Sequence, residues 1–363
     1  MKNDFDKCRL EERNDKIIRA VIEKAERVCP GSLAMVGIYG SFMTGDIHEK
    51  SDLDLLILIN DEAGFQLATG FLQDDLRVGH DIYCTTWERL EDDAKFEHPH
   101  LSKLMDSDIV WCADETHREH LESLRQSVRE RITAPMSQED FARAKKLLAE
   151  AERYYAKAMY ADTLAGCRER AAEILYYLPD ALMLLNKRYY LRGTRRLYEE
   201  LRTLPKRPLR LCEMMDTVVS VDTPDGIKSA LTALLRKTEE IFEAAETELT
   251  AEKEAPSPDN LGGTYEEMFS NWRNKMVLAA ETGNRLLAFS TLGSLQAMLD
   301  DIAGNVDIGR YDAMSGYNPD NLWKTAEFFD RTVAAYLAEY EKAGLNIRRY
   351  ADIDEFVKDY LNK

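Results

Sequence analysis

The chain has no apolar run that approaches membrane-spanning length, and its N-terminus, Met1-Lys2-Asn3-Asp4-Phe5-Asp6-Lys7, is charged where a secretory leader would be apolar. Both absences argue against anchoring in or export across a membrane. Cysteine is sparse: Cys8, Cys29, Cys84, Cys112, Cys167 and Cys212 form no CxxC pair and no zinc spacing. They read as reduced thiols of a cytoplasmic protein. Basic residues are also short, 48 against 66 acidic ones, for a net charge of −18. Proteins that grip a nucleic-acid backbone usually show a basic face, so a templated polymerase or a tRNA-tailing enzyme is disfavoured. An acidic surface suits cationic small molecules better. Proline and glycine cluster with charge in one place, Glu252 to Gly263, which has linker composition.

At 363 residues the chain exceeds one ordinary core and predicts two or three domains. Apolar positions Ile17, Ile18, Val21, Ile22 and Ala25 mark a helix from Asp4 to Arg27. Strands are expected at Leu33–Tyr39, from Asp52 to Ile59, at Arg77–Thr86 and at Asp108–Cys112, with helices at Asp61–Leu72 and Thr116–Ile132. After Pro135 no strand is expected. Ser137-Gln138-Glu139-Asp140 has the form of a helix cap ahead of the stripe Phe141, Ala144, Leu148, Ala151, Tyr155 and Ala158. Further helices are expected at Glu169–Tyr190, started, kinked or broken by Pro179, at Arg195–Leu201 and at Asp225–Leu249. Thr264-Tyr265-Glu266-Glu267 has capping-box spacing and opens a helical C-terminal part. The class is α+β: a small mixed sheet in residues 1–134, a helical domain in 135–250 and a helical region in 264–363.

The chemistry concentrates in Tyr39-Gly40-Ser41 and, ten residues on, Asp52-Leu53-Asp54 at the head of Leu55-Leu56-Ile57-Leu58-Ile59. Carboxylates at i and i+2 of a strand share one face. Such neighbours repel unless a cation lies between them, and an all-oxygen set suits Mg²⁺. Gly40 lets backbone N–H groups approach a ligand, and Ser41 adds a hydroxyl, which suits phosphate oxygens. His98, His100, His117 and His120 lack an evident third metal ligand and read as surface histidines.

This pattern resembles the nucleotidyltransferase superfamily of DNA polymerase β type, whose signature is Gly-Ser, a linker of this length, then Asp-apolar-Asp. The resemblance implies that Asp52 and Asp54 hold two Mg²⁺ ions bridging an NTP, ATP by preference, and that a third acid, Asp81, serves as ligand or base. A sheet domain followed by a helical one resembles, in architecture, the kanamycin and lincosamide nucleotidyltransferases. That likeness implies a Glu base from the helical domain, for which Glu152 is the local match and Glu150 its rival.

The chain departs from the family in having no Arg or Lys between Phe42 and His48, so triphosphate charge must be met elsewhere. The basic stretch Lys187, Arg188, Arg192, Arg195, Arg196, Arg202, Lys206, Arg207 and Arg210 is the candidate, with Lys187 and Arg192 as the members to test. The expected activity is transfer of a nucleoside monophosphate to a hydroxyl of a small acceptor, such as an aminoglycoside-like antibiotic, with loss of pyrophosphate. The alternatives are an AMP-transferring modifier or antitoxin acting on a protein hydroxyl, and a non-catalytic nucleotide-sensing scaffold. No nucleic acid or membrane partner is expected, and a homo-oligomer is compatible with the reading.

Overall fold

The structure, a computed structural model, describes residues 7–48, 50–249 and 253–362, and divides into two compact units, 1–249 and 250–363. In the first unit α1 (Lys7–Val28) precedes β1 (Leu33–Ile38), a single turn α2 (Ser41–Thr44) and β2 (Leu55–Ile59). Then follow β3 (Thr69–Gln73), β4 (Val78–Ile82), β5 (Cys84–Thr86), α3 (Trp87–Ala94), α4 (Ser102–Met105), β6 (Asp108–Cys112) and α5 (Glu115–Thr133). The main sheet has the order β5-β2-β1-β6, with β2 parallel to β5 and the other pairs antiparallel, so it is mixed. Every residue of β2 is buried, as expected of a central strand covered on both faces. Ile57 and Ile59 pack with Val21 and Ala25 of α1, while Leu56 and Leu58 join the larger core shared with the helices beyond.

The helix expected at Asp61–Leu72 is instead a 3₁₀ turn, Glu62–Leu67, followed by β3. Gly70 and the Phe71-Leu72 pair suit an extended ribbon, and pairing with β4 satisfies a backbone that a short isolated helix would leave open. Pro179 does not break its helix. α6 (Gln138–Met159) and α7 (Leu164–Leu185) form a long antiparallel pair, and Pro179 lies buried inside α7, where packing on both sides offsets the lost hydrogen bond. The first unit closes with α8 (Leu197–Thr203), α9 (Leu211–Ser220) and α10 (Pro224–Leu249). The cap at Ser137 is a true capping box with Asp140.

The second unit is helical and has its own core. It holds α11 (Pro258–Leu261), α12 (Thr264–Glu267), α13 (Arg273–Thr282), α14 (Arg285–Asn305), α15 (Leu322–Lys342) and α16 (Ile353–Leu361), centred on Leu292, Leu295, Phe329 and Tyr336. Thr264 is not a helix cap here. Gly263, at φ 85°, precedes the helix, and the capping box lies at Ser257 and Asn260. The start of the helix expected at Asp4 lies outside the described residues. No helix among the described residues is long and apolar enough to cross a membrane.

Candidate active site

The antiparallel register of β1 and β2 pairs Ile38 with Leu55, and the next residues stay joined, with the Tyr39 N–H donating to the Asp54 carbonyl at 3.1 Å. The Gly-Ser turn and the Asp-Leu-Asp segment therefore meet at one sheet edge although about a dozen residues separate them in sequence. Leu53 turns into the core between Asp52, which is exposed, and Asp54, which is half-buried. Gly40 has φ 71° and ψ −141°, and a Cβ placed there would lie 2.0 Å from Asp54 Oδ2. Only glycine lets the backbone approach the carboxylate this closely. Gly40→Ala should cost about 1–3 kcal/mol in thermal unfolding and, by displacing Asp54, about 10²-fold in nucleotidyl transfer.

Burial pushes the Asp54 carboxyl above its usual range and the Asp52 charge pushes it further, against the opposing Ser41 N–H bond and the Lys103 charge. Tyr39 rises to about 12, by burial and then by Asp54, Asp52 and Asp81. The segment thus carries excess negative charge of the kind a cation relieves. Ser41 Oγ is buried with no hydrogen-bond partner among the described residues, an orphan aimed at no protein group. No three His, Cys, Asp or Glu side chains among the described residues converge on one metal position. The chain itself offers two carboxylates, and Mg²⁺ sites commonly complete such a pair with substrate phosphates and water.

Both acids, Gly40 and Ser41 line a cleft of about 590 Å³, whose opposite wall comes from α7 and the 190–197 segment. This is a volume suited to a nucleotide-sized ligand. Arg192, Arg195 and Arg196 line it as well, which puts positive charge in the same cleft as the acids. Arg196 binds Asp46 at 2.9 and 3.1 Å and also pairs with Glu199, while Arg192 reaches Glu199 at 2.9 Å. Arg195 is exposed and has no carboxylate partner among the described residues. Lys50 lines the same cleft.

The rest of the basic stretch goes elsewhere. Lys187, expected at the phosphates, is buried and does not line the cleft. Its ammonium donates to the Ala134 and Pro135 carbonyls at 3.0 and 3.1 Å and to Asp140 Oδ2 at 2.9 Å, so it ties α7 to the start of α6. Lys206 pairs with Glu248 and Arg210 with Glu213. Sequence adjacency had grouped side chains that the helix turns disperse.

Glu152 does not reach the cleft either. It lies on α6 where burial and Glu239 of α10 push its carboxyl up, and Glu150 pairs with Arg153. Asp81 is exposed on β4 and is not part of the cleft lining, although its charge is felt at Tyr39. Two groups escaped notice in the sequence. Lys103 sits 5.8 Å from the Tyr39 ring and 5.2 Å from that of Tyr83, with burial lowering its pKa. Arg13 of α1 donates to the Ser51 carbonyl at 2.8 Å, supporting the residue ahead of Asp52. His100, read as a surface side chain, lines the cleft and binds the buried Asp180 at 2.8 Å. The available signal was Asp180 itself, a lone charge within Leu178-Pro179-Asp180-Ala181-Leu182-Met183-Leu184-Leu185.

Residues 15–132 match the nucleotidyltransferase domain family, and residues 119–248 match the KNTase C-terminal domain family. No curated protein matches the chain. The second match ends beside the boundary between the two compact units. With a Gly-Ser turn set against paired carboxylates and a KNTase-type helical domain behind it, the chain belongs over these residues to the nucleotidyltransferase superfamily, and it is a nucleotidyltransferase enzyme.

Proposed function

We propose that the enzyme transfers a nucleoside monophosphate from an NTP, with ATP as the preferred donor, to a hydroxyl of a small, cationic acceptor of aminoglycoside-like chemistry, releasing pyrophosphate. The observation that carries this reading is the approach of Asp54 to Gly40, with Asp52 beside it, in a cleft that Arg192, Arg195 and Arg196 also line. In this reading residues 1–134 form the catalytic domain and 135–250 the domain that closes on nucleotide. Asp52 and Asp54 hold Mg²⁺, and Asp81, exposed on β4 and off the cleft lining, stays outside that pair. Bound there, Mg²⁺ neutralises charge on the attacking and leaving oxygens of the displacement.

The protein groups then bind and orient. The Ser41 hydroxyl and the turn after Gly40 take phosphate oxygens, and Arg192 and Arg195 meet the charge that relatives answer with a basic residue after Gly-Ser. The net charge of −18 over the whole chain favours a cationic acceptor. The KNTase C-terminal match supports an antibiotic acceptor over a protein one.

Thermal unfolding with each NTP, with and without Mg²⁺, tests the donor site. A ligand at about a hundred times its dissociation constant adds roughly 2.7 kcal/mol. The expected result is an upward shift with Mg²⁺ and ATP in the wild type that Asp54→Asn loses. No shift with any NTP would sink the proposal.

A further inference from the structure

With Glu152 outside the cleft and Asp81 off its lining, the acceptor hydroxyl needs another proton acceptor. The bases that do line the cleft are Asp46, His48, Asp52, Asp54, His100 and Asp180. Asp52 and Asp54 are committed to the metal in the proposed reading, and Asp46 is held by Arg196. His48 accepts the Lys50 backbone N–H on its Nδ1 at 3.1 Å, and no carboxylate orients it among the described residues.

His100 is different because it is built into the wall. Asp180 is only 4 % exposed, and its Oδ2 lies 2.8 Å from His100 Nε2. A carboxylate only accepts, so Nε2 carries the hydrogen and Nδ1 keeps the lone pair. Nδ1 has no hydrogen-bond partner among the described residues, and the imidazole side chain is 44 % exposed. The Tyr176 ring lies nearly parallel to the imidazole at 5.7 Å, and its hydroxyl reaches Nε2 at 3.4 Å. The Tyr190 ring also packs against the imidazole, at 5.2 Å, and the Tyr190 N–H donates to the Pro99 carbonyl, which pins the loop. This is an imidazole fixed in ring orientation and tautomer by a buried carboxylate, with one basic nitrogen left over. That arrangement suits a general base.

We propose that His100 is the general base of nucleotidyl transfer and that Asp180 is its positioning residue. The inference rests on the transferase reading above. The acceptor oxygen forms the new bond to the α-phosphorus as its proton passes to His100 Nδ1. The bond from the α-phosphorus to the bridging oxygen breaks, and pyrophosphate leaves with that electron pair. The imidazolium then returns its proton to solvent. The step needs His100 as the neutral imidazole, so acid that protonates the ring slows turnover. The groups facing His100 are Asp180 and Tyr176 from α7, Tyr190 from the following loop, and His98, which is 6.0 Å away by ring centroid and bridges to Asp93.

The experiment measures pyrophosphate release from ATP and Mg²⁺ across pH with kanamycin as probe acceptor, and with water alone. The full chain is compared with its His100→Gln, Asp180→Asn, His48→Gln and Asp54→Asn forms. The expected result is a fall in kcat of about 10²–10⁴-fold for His100→Gln, with loss of the acid limb of the pH profile. The thermal shift with Mg²⁺ and ATP should stay at the wild-type value, which a merely unfolded variant would not show. Asp180→Asn should flatten the same limb with a smaller loss, and His48→Gln, whatever it costs in turnover at the cleft, should keep the acid limb. If His100→Gln keeps wild-type turnover and pH profile while Asp54→Asn is dead, or if His48→Gln removes the acid limb, the assignment of His100 is overturned and the transferase reading stands. If the wild type itself releases no pyrophosphate with either acceptor, the transferase reading fails and this assignment goes with it.

Discussion

Replacing Asp54 with asparagine should abolish nucleotidyl transfer, by at least about 10³-fold, while leaving the fold as stable as the wild type or more so. The first half follows from the several kcal/mol of transition-state stabilisation that a metal-held displacement supplies. The second follows from linkage. Burial and the Asp52 charge raise the folded pKa of Asp54 above its unfolded value, so folding favours the protonated form. The ionised carboxylate therefore lowers stability at neutral pH, and the penalty is relieved as pH falls through the folded pKa. A neutral amide of the same shape carries no such penalty. Melting curves in metal-free buffer, paired with turnover, check both halves. A variant that lost activity by unfolding, or kept full turnover, would contradict the assignment of Asp54 to the metal.

Lys187→Met should do the reverse, damaging stability while sparing the nucleotide site. Its ammonium satisfies two carbonyls and Asp140 in a site where both partners of the ion pair are largely buried. Removing one member of a buried pair costs about 3–5 kcal/mol. Arg143 also reaches Asp140 at 2.9 Å, so the lower end is expected, or roughly 6–12 °C in the melting temperature for a unit of this size. Burial raises the Asp140 carboxyl, but the Lys187 and Ser137 hydrogen bonds outweigh it and hold the group below its usual range. The wild type should therefore keep this contribution above the unfolded pKa of Asp140 and lose it as pH falls through the lower folded one. The variant should show a weaker acid dependence. Because Lys187 does not line the cleft, the ATP-dependent thermal shift should survive the substitution. A lost shift with unchanged stability would return Lys187 to the phosphates.

The contrast between these two residues shows which part of the site was legible in advance. Gly40, Ser41, Asp52 and Asp54 belong to one strand-turn-strand unit. A strand alternates side chains strictly, so their common side followed from spacing alone, and the antiparallel register of β1 and β2 did the rest. Lys187, Arg192, Arg195 and Arg196 lie within ten residues of one another, yet one is buried under α6 and three reach the cleft. Their segment leaves α7, turns at Lys187 with a positive φ of 51°, and enters α8, and no short-range rule fixes those directions.

The sequence by itself determined the α+β class, the order of sheet then helices, the helix cap at Ser137 and the carboxylate pair with its Gly-Ser turn. All of these depend on period, composition or contacts between chain neighbours. Only the tertiary structure decided that residues 69–73 pair as a strand with β4, that Glu152 turns toward α10, and that His100 and Asp180, eighty positions apart, stand on the cleft wall. Each of these depends on which distant surfaces exclude water together, and burial of that kind sets both the partner a charged side chain must find and the face it can present.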